Sequence, residues 1–183
     1  MIQNYNQILV ENKTMYTERL KLRPFTIDDA KYVYEYASDE QTVKYLTWPM
    51  HKDIEHTKRV IENFYIPYPG TYAVEENVSG KCIGSLGISI NDKSDSVTYG
   101  IAINSQFWNK GYATEILTKA IKFTFEVLKA KKAHGEHLIG NDASGKIMLK
   151  CGMQYIGKGL IEIRGENKDT HQYAINLSDW HQI

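Results

Sequence analysis

The alternation of hydrophobic and polar residues predicts a strand near the start of the chain and two helices after it. Between Thr17 and Arg23, leucines fall on one side and charged residues on the other, as expected for a strand with one buried face. Thr26 and Asp29 then form a variant of the capping box that opens a helix. A second helical pattern runs from about residue 53 to residue 64.

Three strand-like segments come next, separated by turns rich in Asn, Asp, Ser and Gly. They run from Thr71 to Glu76, from Lys81 to Ile90 and from Val97 to Asn104, and they predict an antiparallel meander. A long amphipathic helix over 114–129 and another strand over 133–139 follow. A strand, a crossover helix and a strand in this order predict a parallel pair with a right-handed connection.

The last part of the chain completes a mixed pattern of helices and strands. It predicts a short helix over 144–150 and two strands over 154–163 and 171–177, which flank a turn over 165–169. The whole order predicts a mixed α/β fold. We expect a mostly antiparallel central sheet of about seven strands flanked by helices, with one parallel strand pair after the long crossover helix.

The segment from Gln106 to Glu115 joins a predicted strand to the long helix and is the best candidate for binding chemistry. The first N–H groups of a helix lack partners within it and the macrodipole adds partial positive charge, so an anion is favoured there. Gly111 and Ala113 carry little side chain and would let a pyrophosphate approach the backbone. An ordinary strand-to-helix turn is the alternative. The order of Lys110 and Gly111 is the reverse of a P-loop, and no Gly-x-Gly-x-x-Gly follows a strand, which disfavours nucleotide hydrolysis and nicotinamide chemistry.

The composition is that of an ordinary globular protein with no global charge. The chain has 183 residues, 42% of them hydrophobic, and 22 basic residues balance 22 acidic ones, so nothing steers it toward nucleic acid or an anionic membrane. The two cysteines and six histidines show no metal-ligand spacing, and no apolar run reaches the ~20 residues of a membrane span. We expect one cytoplasmic domain over 1–183, with residues 1–13 flexible or peripheral. It is expected to bind no metal, nucleic acid or membrane, and to be a monomer or a homodimer.

Three sequence motifs lie on the predicted opening strand, at the start of the long helix and on the short helix, in that order along the chain. The first is the opening strand Thr17–Pro24 (TERLKLRP), the second is Trp108–Glu115 (WNKGYATE), and the third joins Asn141–Ser144 (NDAS) to Lys150–Met153 (KCGM). Together they resemble the GNAT N-acetyltransferase superfamily, specifically the RimJ/RimL branch of ribosomal-protein N-terminal acetyltransferases. The second motif is similar to the acetyl-CoA pyrophosphate loop of that branch. The resemblance covers most of the chain.

The resemblance implies a splayed sheet in which the strands near 97–104 and 133–139 part to admit acetyl-CoA as cosubstrate. Backbone groups of one strand would pair with the pantetheine arm, and amides of the loop would hold the pyrophosphate. The cofactor-binding residues implied are Ile101, Ala102, Ile103, Asn109, Lys110, Gly111, Tyr112, Ala113, Thr114, Asn141 and Ser144. From the residues alone, Asn141 could equally be a plain helix cap and Ser144 a first-turn serine.

The catalytic groups are less plainly displayed. The resemblance implies that Ser144 hydrogen-bonds the departing thiolate. The strand before the loop contains no carboxylate. The resemblance to the ribosomal-protein branch implies a glutamate base on the strand after Gly152, where Glu162 is the nearest candidate, and Glu75 and Glu76 are the alternatives. Two residues depart from the family pattern: Asn109 replaces a glycine common in the branch, and Met148 stands where many members have a tyrosine acid.

The expected activity is the transfer of an acetyl group from acetyl-CoA to a primary amine, in this branch most often a protein N-terminal α-amine. A small-molecule amine, such as a polyamine or aminoglycoside, is the alternative acceptor. A catalytically inactive acyl-CoA-binding sensor or scaffold is the alternative of another class. Trp48 lies in an aromatic connection over 45–50 and is either a substrate-binding residue or a hydrophobic plug.

Overall fold

The computed structural model describes residues 4–180, which form two compact units. The first unit consists of the chain up to Gly87 together with Gly100–Tyr112. The second consists of Ile88–Tyr99 together with the chain from Ala113 onward. Two neighbouring strands therefore contribute residues to both units.

The described part of the first unit, from residue 4 onward, contains four helices, three whole strands and parts of two more. Its helices are α1 (Tyr5–Glu11), α2 (Ala30–Ala37), α3 (Glu40–Val43) and α4 (Ile54–Val60), the last continued by a π-helical turn over Ile61–Tyr65. Its strands are β1 (Met15–Tyr16), β2 (Leu20–Arg23), β3 (Thr71–Glu76), the first part of β4 (Cys82–Asn91) and the last part of β5 (Ser96–Ile103). Neighbouring strands from β1 to β4 are antiparallel.

The start of α2 confirms the capping box predicted from the sequence. The backbone N–H of Thr26 donates to Asp29 Oδ2 at 2.9 Å, and a 3₁₀ turn over Ile27–Asp29 leads into the helix. The helix then buries one face in the core of this unit. That core cluster consists of Phe25, Ala30, Val33, Tyr36, Ala37, Ile61, Ala73, Cys82 and Ala102.

The second unit contains the long helix and the last strands. Its elements are α5 (Tyr112–Glu126, from Ala113), β6 (Lys132–Leu138), α6 (Asp142–Lys150), β7 (Gln154–Ile163), β8 (Glu166–Asn176) and α7 (Leu177–Trp180). The parallel pair is confirmed, because Ser96, Val97 and Thr98 of β5 pair with Lys132, Ala133 and His134 of β6. β8 is antiparallel to both β6 and β7.

The hairpin between β7 and β8 is tighter than the sequence predicts. The expected turn over 165–169 is wrong, because Ile163 already pairs with Glu166 and only Arg164 and Gly165 form the turn. Both turn residues have positive φ, 55° and 80°, as in the two-residue turns that match the twist of a hairpin. The polar residues after Gly165 belong to an exposed strand, and their composition resembles that of a loop.

The mixed α/β fold is confirmed, with one more strand than expected. The eight strands are hydrogen-bonded in the order β1-β2-β3-β4-β5-β6-β8-β7, and β5–β6 is parallel. The additional strand is β1, whose two residues are too few to produce a periodic pattern. No helix within residues 4–180 is long and apolar enough to cross a membrane.

Candidate active site

The segment between β5 and α5 forms a loop with an unusual backbone conformation. Asn109 has φ 60° and Gly111 has φ 81°, so two left-handed residues flank Lys110. Asparagine adopts this conformation more readily than most residues, which explains how Asn109 can stand where glycine is common. Alternation of this kind can turn successive backbone N–H groups into a concavity that binds anions. Residues 109–112 are called the 109–112 loop below.

The loop is tied to the rest of the first unit on both sides. Trp108 Nε1 donates to the carbonyl oxygen of Ile103 at 2.7 Å, so the indole fixes the exit of β5. Tyr112 donates its hydroxyl to Glu76 Oε1 at 2.5 Å. Arg19 Nη1 donates to the carbonyl oxygen of Lys110 at 2.9 Å. Sequence reasoning missed the roles of Arg19 and Glu76, although Arg19 belongs to the opening motif.

The last residues of β5 are the ones expected to pair with the pantetheine arm. Ala102 and Ile103 are buried and Ile101 is half-buried. The carbonyl oxygen of Ile103 accepts a hydrogen bond from Trp108. The pairing of this strand with a cofactor stays a prediction.

The beginning of α6 lies in the second unit and carries the third motif. Asn141 occupies the N-cap position, but its side chain makes no capping hydrogen bond, while the Ser144 N–H donates to the Asn141 carbonyl at 3.0 Å. The helix cap therefore does not account for the amide group of Asn141. The hydroxyl of Ser144 lies on the first turn of the same helix, half-buried. The cofactor contacts of both side chains stay predictions.

The remaining loop residues lie at the start of α5 in the second unit. Ala113 and Thr114 belong to its first turn, and the thiol of Cys151 donates to the Thr114 carbonyl at 3.6 Å. Cys151 Sγ also lies 3.4 Å from Thr118 Oγ1. Burial raises the pKa of the Cys151 thiol, so this cysteine is a structural contact of α5 and a poor nucleophile.

Trp48 packs against the core cluster of the first unit and is partly buried. Its ring lies 5.3 Å from the ring of His51, which in turn lies 3.0 Å from Thr57 Oγ1. Burial, and then the neighbouring His56, lower the pKa of His51 to about 4, so His51 is neutral at physiological pH. These contacts favour the plug interpretation of the aromatic connection. A role of Trp48 in substrate binding stays a prediction.

The comparison with known proteins decides the family. The acetyltransferase (GNAT) domain family matches residues 19–154. The chain belongs to the GNAT acetyltransferase family. YoaA of Bacillus subtilis, an uncharacterized N-acetyltransferase, is 25% identical over 87% of this chain and 94% of its own length. The FsC-acetyl coenzyme A-N(2)-transacetylase of Aspergillus fumigatus is 27% identical over 91% of this chain and 77% of its own length.

A solved structure supports the same fold. The GNAT acetyltransferase of Bacillus anthracis superposes with a TM-score of 0.81 at 24% identity, covering 90% of this chain and 99% of that one. The protein is therefore an acetyl-CoA-dependent N-acetyltransferase of the GNAT family.

Within this GNAT enzyme, two of the three candidate bases are already engaged. Glu75 accepts a hydrogen bond from Arg23 Nε at 2.6 Å, and its other oxygen lies 3.9 Å from Lys21 Nζ. Glu76 accepts hydrogen bonds from Ser79 and Tyr112. Glu162 is different, because it lies exposed on β7 opposite Asn167, beside the hairpin turn. Among the three, Glu162 is the carboxylate most exposed to solvent.

Met148 fills the position where many GNAT members carry a tyrosine. Its side chain is buried, and its sulfur would lie 2.6 Å from a Cβ placed on Gly135 of β6. The methionine is thus a packing residue between α6 and β6. Met148 carries no proton to donate to a departing thiolate.

A pair of side chains near α6 was not found by sequence reasoning. His137 Nδ1 donates to the carbonyl of Leu138 at 2.9 Å, which leaves Nε2 to accept from the Tyr173 hydroxyl at 3.3 Å. Both lie beneath Gly145 of α6, where a Cβ would be 2.7 Å from the Tyr173 oxygen. His137 and Tyr173 are 36 residues apart in the sequence, a spacing that matches no recognisable motif. In residues 4–180, no group of three or more His, Cys, Asp and Glu side chains could hold a metal ion.

Proposed function

We propose that this GNAT enzyme acetylates protein N-terminal α-amines, as members of the RimJ/RimL branch do. The observation that carries the donor side of the proposal is the 109–112 loop, in which left-handed Asn109 and Gly111 lead into the 15-residue helix α5. Backbone amides in that arrangement suit the pyrophosphate of acetyl-CoA. The branch assignment rests on the motifs TERLKLRP, WNKGYATE and NDAS.

The reaction requires a neutral amine, a polarised thioester and a stabilised thiolate. The amine nitrogen attacks the thioester carbonyl carbon, a C–N bond forms, and the C–S bond breaks as the thiolate leaves. The amine loses one proton, and the thiolate gains one. In our proposal Glu162, directly or through water, accepts the first proton, and the hydroxyl of Ser144 hydrogen-bonds the thiolate.

The chemistry of the base favours an α-amine as acceptor. Strand β5 contains no carboxylate, and the candidate base Glu162 is an exposed carboxylate on β7. An α-amine titrates near pH ~8 and is partly neutral without help, whereas a lysine titrates near ~10.4 and needs a stronger base. A weak base is therefore sufficient for a protein N-terminus.

A small-molecule amine is the second candidate acceptor, and one relative favours it. The Aspergillus fumigatus relative is named for acetyl transfer at an N(2) position from acetyl coenzyme A. Acceptors of both classes belong in one assay, with peptides bearing free and blocked N-termini beside a polyamine and an aminoglycoside.

The first experiment measures thermal unfolding with acetyl-CoA, CoA and ATP. A ligand at ~100 times its dissociation constant adds about 2.7 kcal/mol of stability, so both CoA compounds should raise the melting temperature and ATP should not. Turnover with the acceptor panel follows. Faster turnover of free N-terminal peptides supports the proposal, and exclusive turnover of the polyamine or aminoglycoside contradicts it.

Variants of the two candidate catalytic residues test the mechanism. We expect Glu162→Gln to lower kcat by about 10²- to 10⁴-fold with little change in the affinity for CoA, because general acid–base catalysis contributes on that order. Ser144→Ala removes a hydrogen bond to the charged thiolate and should lower kcat by about 10- to 100-fold. Glu166→Gln is the matched control, since Glu166 is an exposed carboxylate on the same hairpin. An unchanged kcat in Glu162→Gln would remove this residue from the mechanism.

A further inference from the structure

One guanidinium contacts two residues of the 109–112 loop and lies beside the glycine between them. Arg19 Nη1 donates to the Lys110 carbonyl at 2.9 Å, and Arg19 Cζ lies 4.5 Å from the centre of the Tyr112 ring. Between these contacts, a Cβ placed on Gly111 would lie 3.5 Å from Arg19 Nη2. Arg19 belongs to the TERLKLRP motif, to which the proposed function gives no chemical role. Its side chain is nevertheless the part of that motif that reaches the loop.

The hydrogen bond to Lys110 fixes the orientation of one peptide group. In a trans peptide the carbonyl and the following N–H point in opposite directions. A Lys110 carbonyl held toward Arg19 therefore turns the N–H of Gly111 away from Arg19. The opposite orientation would present a carbonyl oxygen on that side, and its partial negative charge would repel a phosphate. Because Gly111 has φ 81° and no Cβ, little else in its own backbone prevents such a flip.

A second anchor holds the residue that follows. The ring of Tyr112 lies against Arg19, and its hydroxyl donates to Glu76. Hydrogen bonds from Ser79 and then from Tyr112 hold the pKa of Glu76 below its ordinary value, so this acceptor is charged at neutral pH. Tyr112 is thus held at both its face and its hydroxyl. The hydrogen bond from Arg19 in turn restrains rotation of the Lys110–Gly111 peptide.

We propose that Arg19 is a positioning residue for the acetyl donor, which holds the Lys110–Gly111 peptide so that the Gly111 N–H faces the donor's pyrophosphate. The inference rests on the proposed function, since it assumes that the 109–112 loop binds that group. Arg19 acts through the peptide. Its effect should therefore be confined to donors that carry the diphosphate.

The test compares two acetyl donors, one with and one without the nucleotide part that contains the diphosphate. Acetyl-CoA carries the diphosphate and 3′-phosphoadenosine, and S-acetyl-pantetheine carries neither. We expect Arg19→Met to raise KM for acetyl-CoA about tenfold, since a hydrogen bond to a charged group is lost, and to leave kcat and KM for S-acetyl-pantetheine unchanged. Arg19→Lys keeps the charge and an N–H donor group on a shorter side chain, and its KM for acetyl-CoA should fall between those of the wild type and Arg19→Met. Arg59→Met removes an equal charge from an exposed position of α4 and is the control.

A second measurement follows the Lys110–Gly111 peptide directly, by NMR spectroscopy. The amide resonance of Gly111 should shift when CoA is added to the wild-type protein, because its N–H gains an anionic acceptor. In Arg19→Met the same titration should shift this resonance much less, while wild-type shifts persist at the pantetheine end of the site. A Gly111 shift of the same size in both proteins would overturn the proposal.

The kinetic outcomes separate this inference from the function on which it rests. Equal losses for both donors would mean that Arg19 supports the whole unit, and no loss would mean that the loop holds its conformation alone, so either result overturns the inference. If the wild-type enzyme shows no preference for acetyl-CoA over S-acetyl-pantetheine, the 109–112 loop does not bind the pyrophosphate, and the proposed function itself is contradicted at that point. If Arg19→Met does not fold, Arg19→Lys and the same pair of donors give the decision.

Discussion

Arg23 is the residue on which charged contacts of the first unit converge. Its Nη1 and Nη2 each donate to Asp29 at 2.8 Å, and its Nε donates to Glu75. Burial by itself would raise the pKa of Asp29, but the hydrogen bonds from Arg23 and Thr26 outweigh it and hold that pKa below 3.8. One buried carboxylate thereby joins the end of β2 to the start of α2.

This arrangement predicts an acid-sensitive contribution to stability. Asp29→Asn should lower the free energy of unfolding by about 3 kcal/mol at pH 7, because it breaks a buried ion pair. A depressed pKa contributes stability above pH 3.8 that is lost as the pH falls through the folded-state value. The difference between variant and wild type should therefore shrink below pH 3.8, as measured by urea unfolding from pH 7 to pH 3.

The control for this prediction is Glu166→Gln, which removes a carboxylate from an exposed pair with Lys168. It should leave stability unchanged, because exposed ion pairs contribute little. If Asp29→Asn unfolds at the same urea concentration as the wild type at pH 7, the network around Arg23 does not contribute as described.

At the scale of elements, glycines set how closely neighbours approach. A Cβ on Gly84 of β4 would overlap the carbonyl oxygen of Ala102 and lie 2.8 Å from Ile103 Cδ1 on β5. Gly100, also on β5, has open space where its Cβ would be. The two positions look alike in the sequence and differ in the structure.

Gly84→Ala should therefore destabilise the protein by about 2–3 kcal/mol, as overpacking of a dense core does. Gly100→Ala is the matched control and should be neutral or slightly stabilising, because it reduces the freedom of the unfolded chain without a clash. Guanidinium unfolding of both variants makes the comparison. Equal destabilisation would show that the cost comes from the strand backbone and not from the contact with Ala102.

The same reasoning applies to α6 in the second unit. A Cβ on Gly145 would lie 2.7 Å from the Tyr173 hydroxyl and 2.8 Å from His137 Nε2. We expect Gly145→Ala to cost about 1–3 kcal/mol. Tyr173→Phe removes the obstructing oxygen, so the double variant should be more stable than the sum of the two single changes predicts. If thermal unfolding shows that the effects of the two single changes simply add, the strain in Gly145→Ala does not come from the Tyr173 hydroxyl.

At the scale of the whole molecule, hydrophobic periodicity predicted most elements and missed those without a period. The strand Thr71–Glu76 was predicted at its true bounds, as was Gln154–Ile163. Helix α3 and strand β1 are only four and two residues long, too short to show a pattern. The polar residues after Gly165 were predicted as a turn because an exposed strand and a loop have similar composition.

The sequence predicted the part of the candidate site whose residues are adjacent along the chain, and it did not predict the contacts between distant segments. The 109–112 loop was visible because glycine, small residues and a helix start stand together in the sequence. The contact between Arg19 and this loop was not visible in the sequence, since Arg19 and Lys110 are distant along the chain and meet only after folding. The same holds for His137 and Tyr173, which are neighbours through strand pairing.

The first unit is built from two separate stretches of chain, because the polypeptide leaves it after Gly87 and returns at Gly100. The returning stretch supplies Ala102 to the core cluster and the whole 109–112 loop. During synthesis on the ribosome, a nascent chain that ends at Gly87 lacks both. Folding of the complete first unit must therefore await residues made after the excursion, and the 109–112 loop is among the last parts of that unit to emerge.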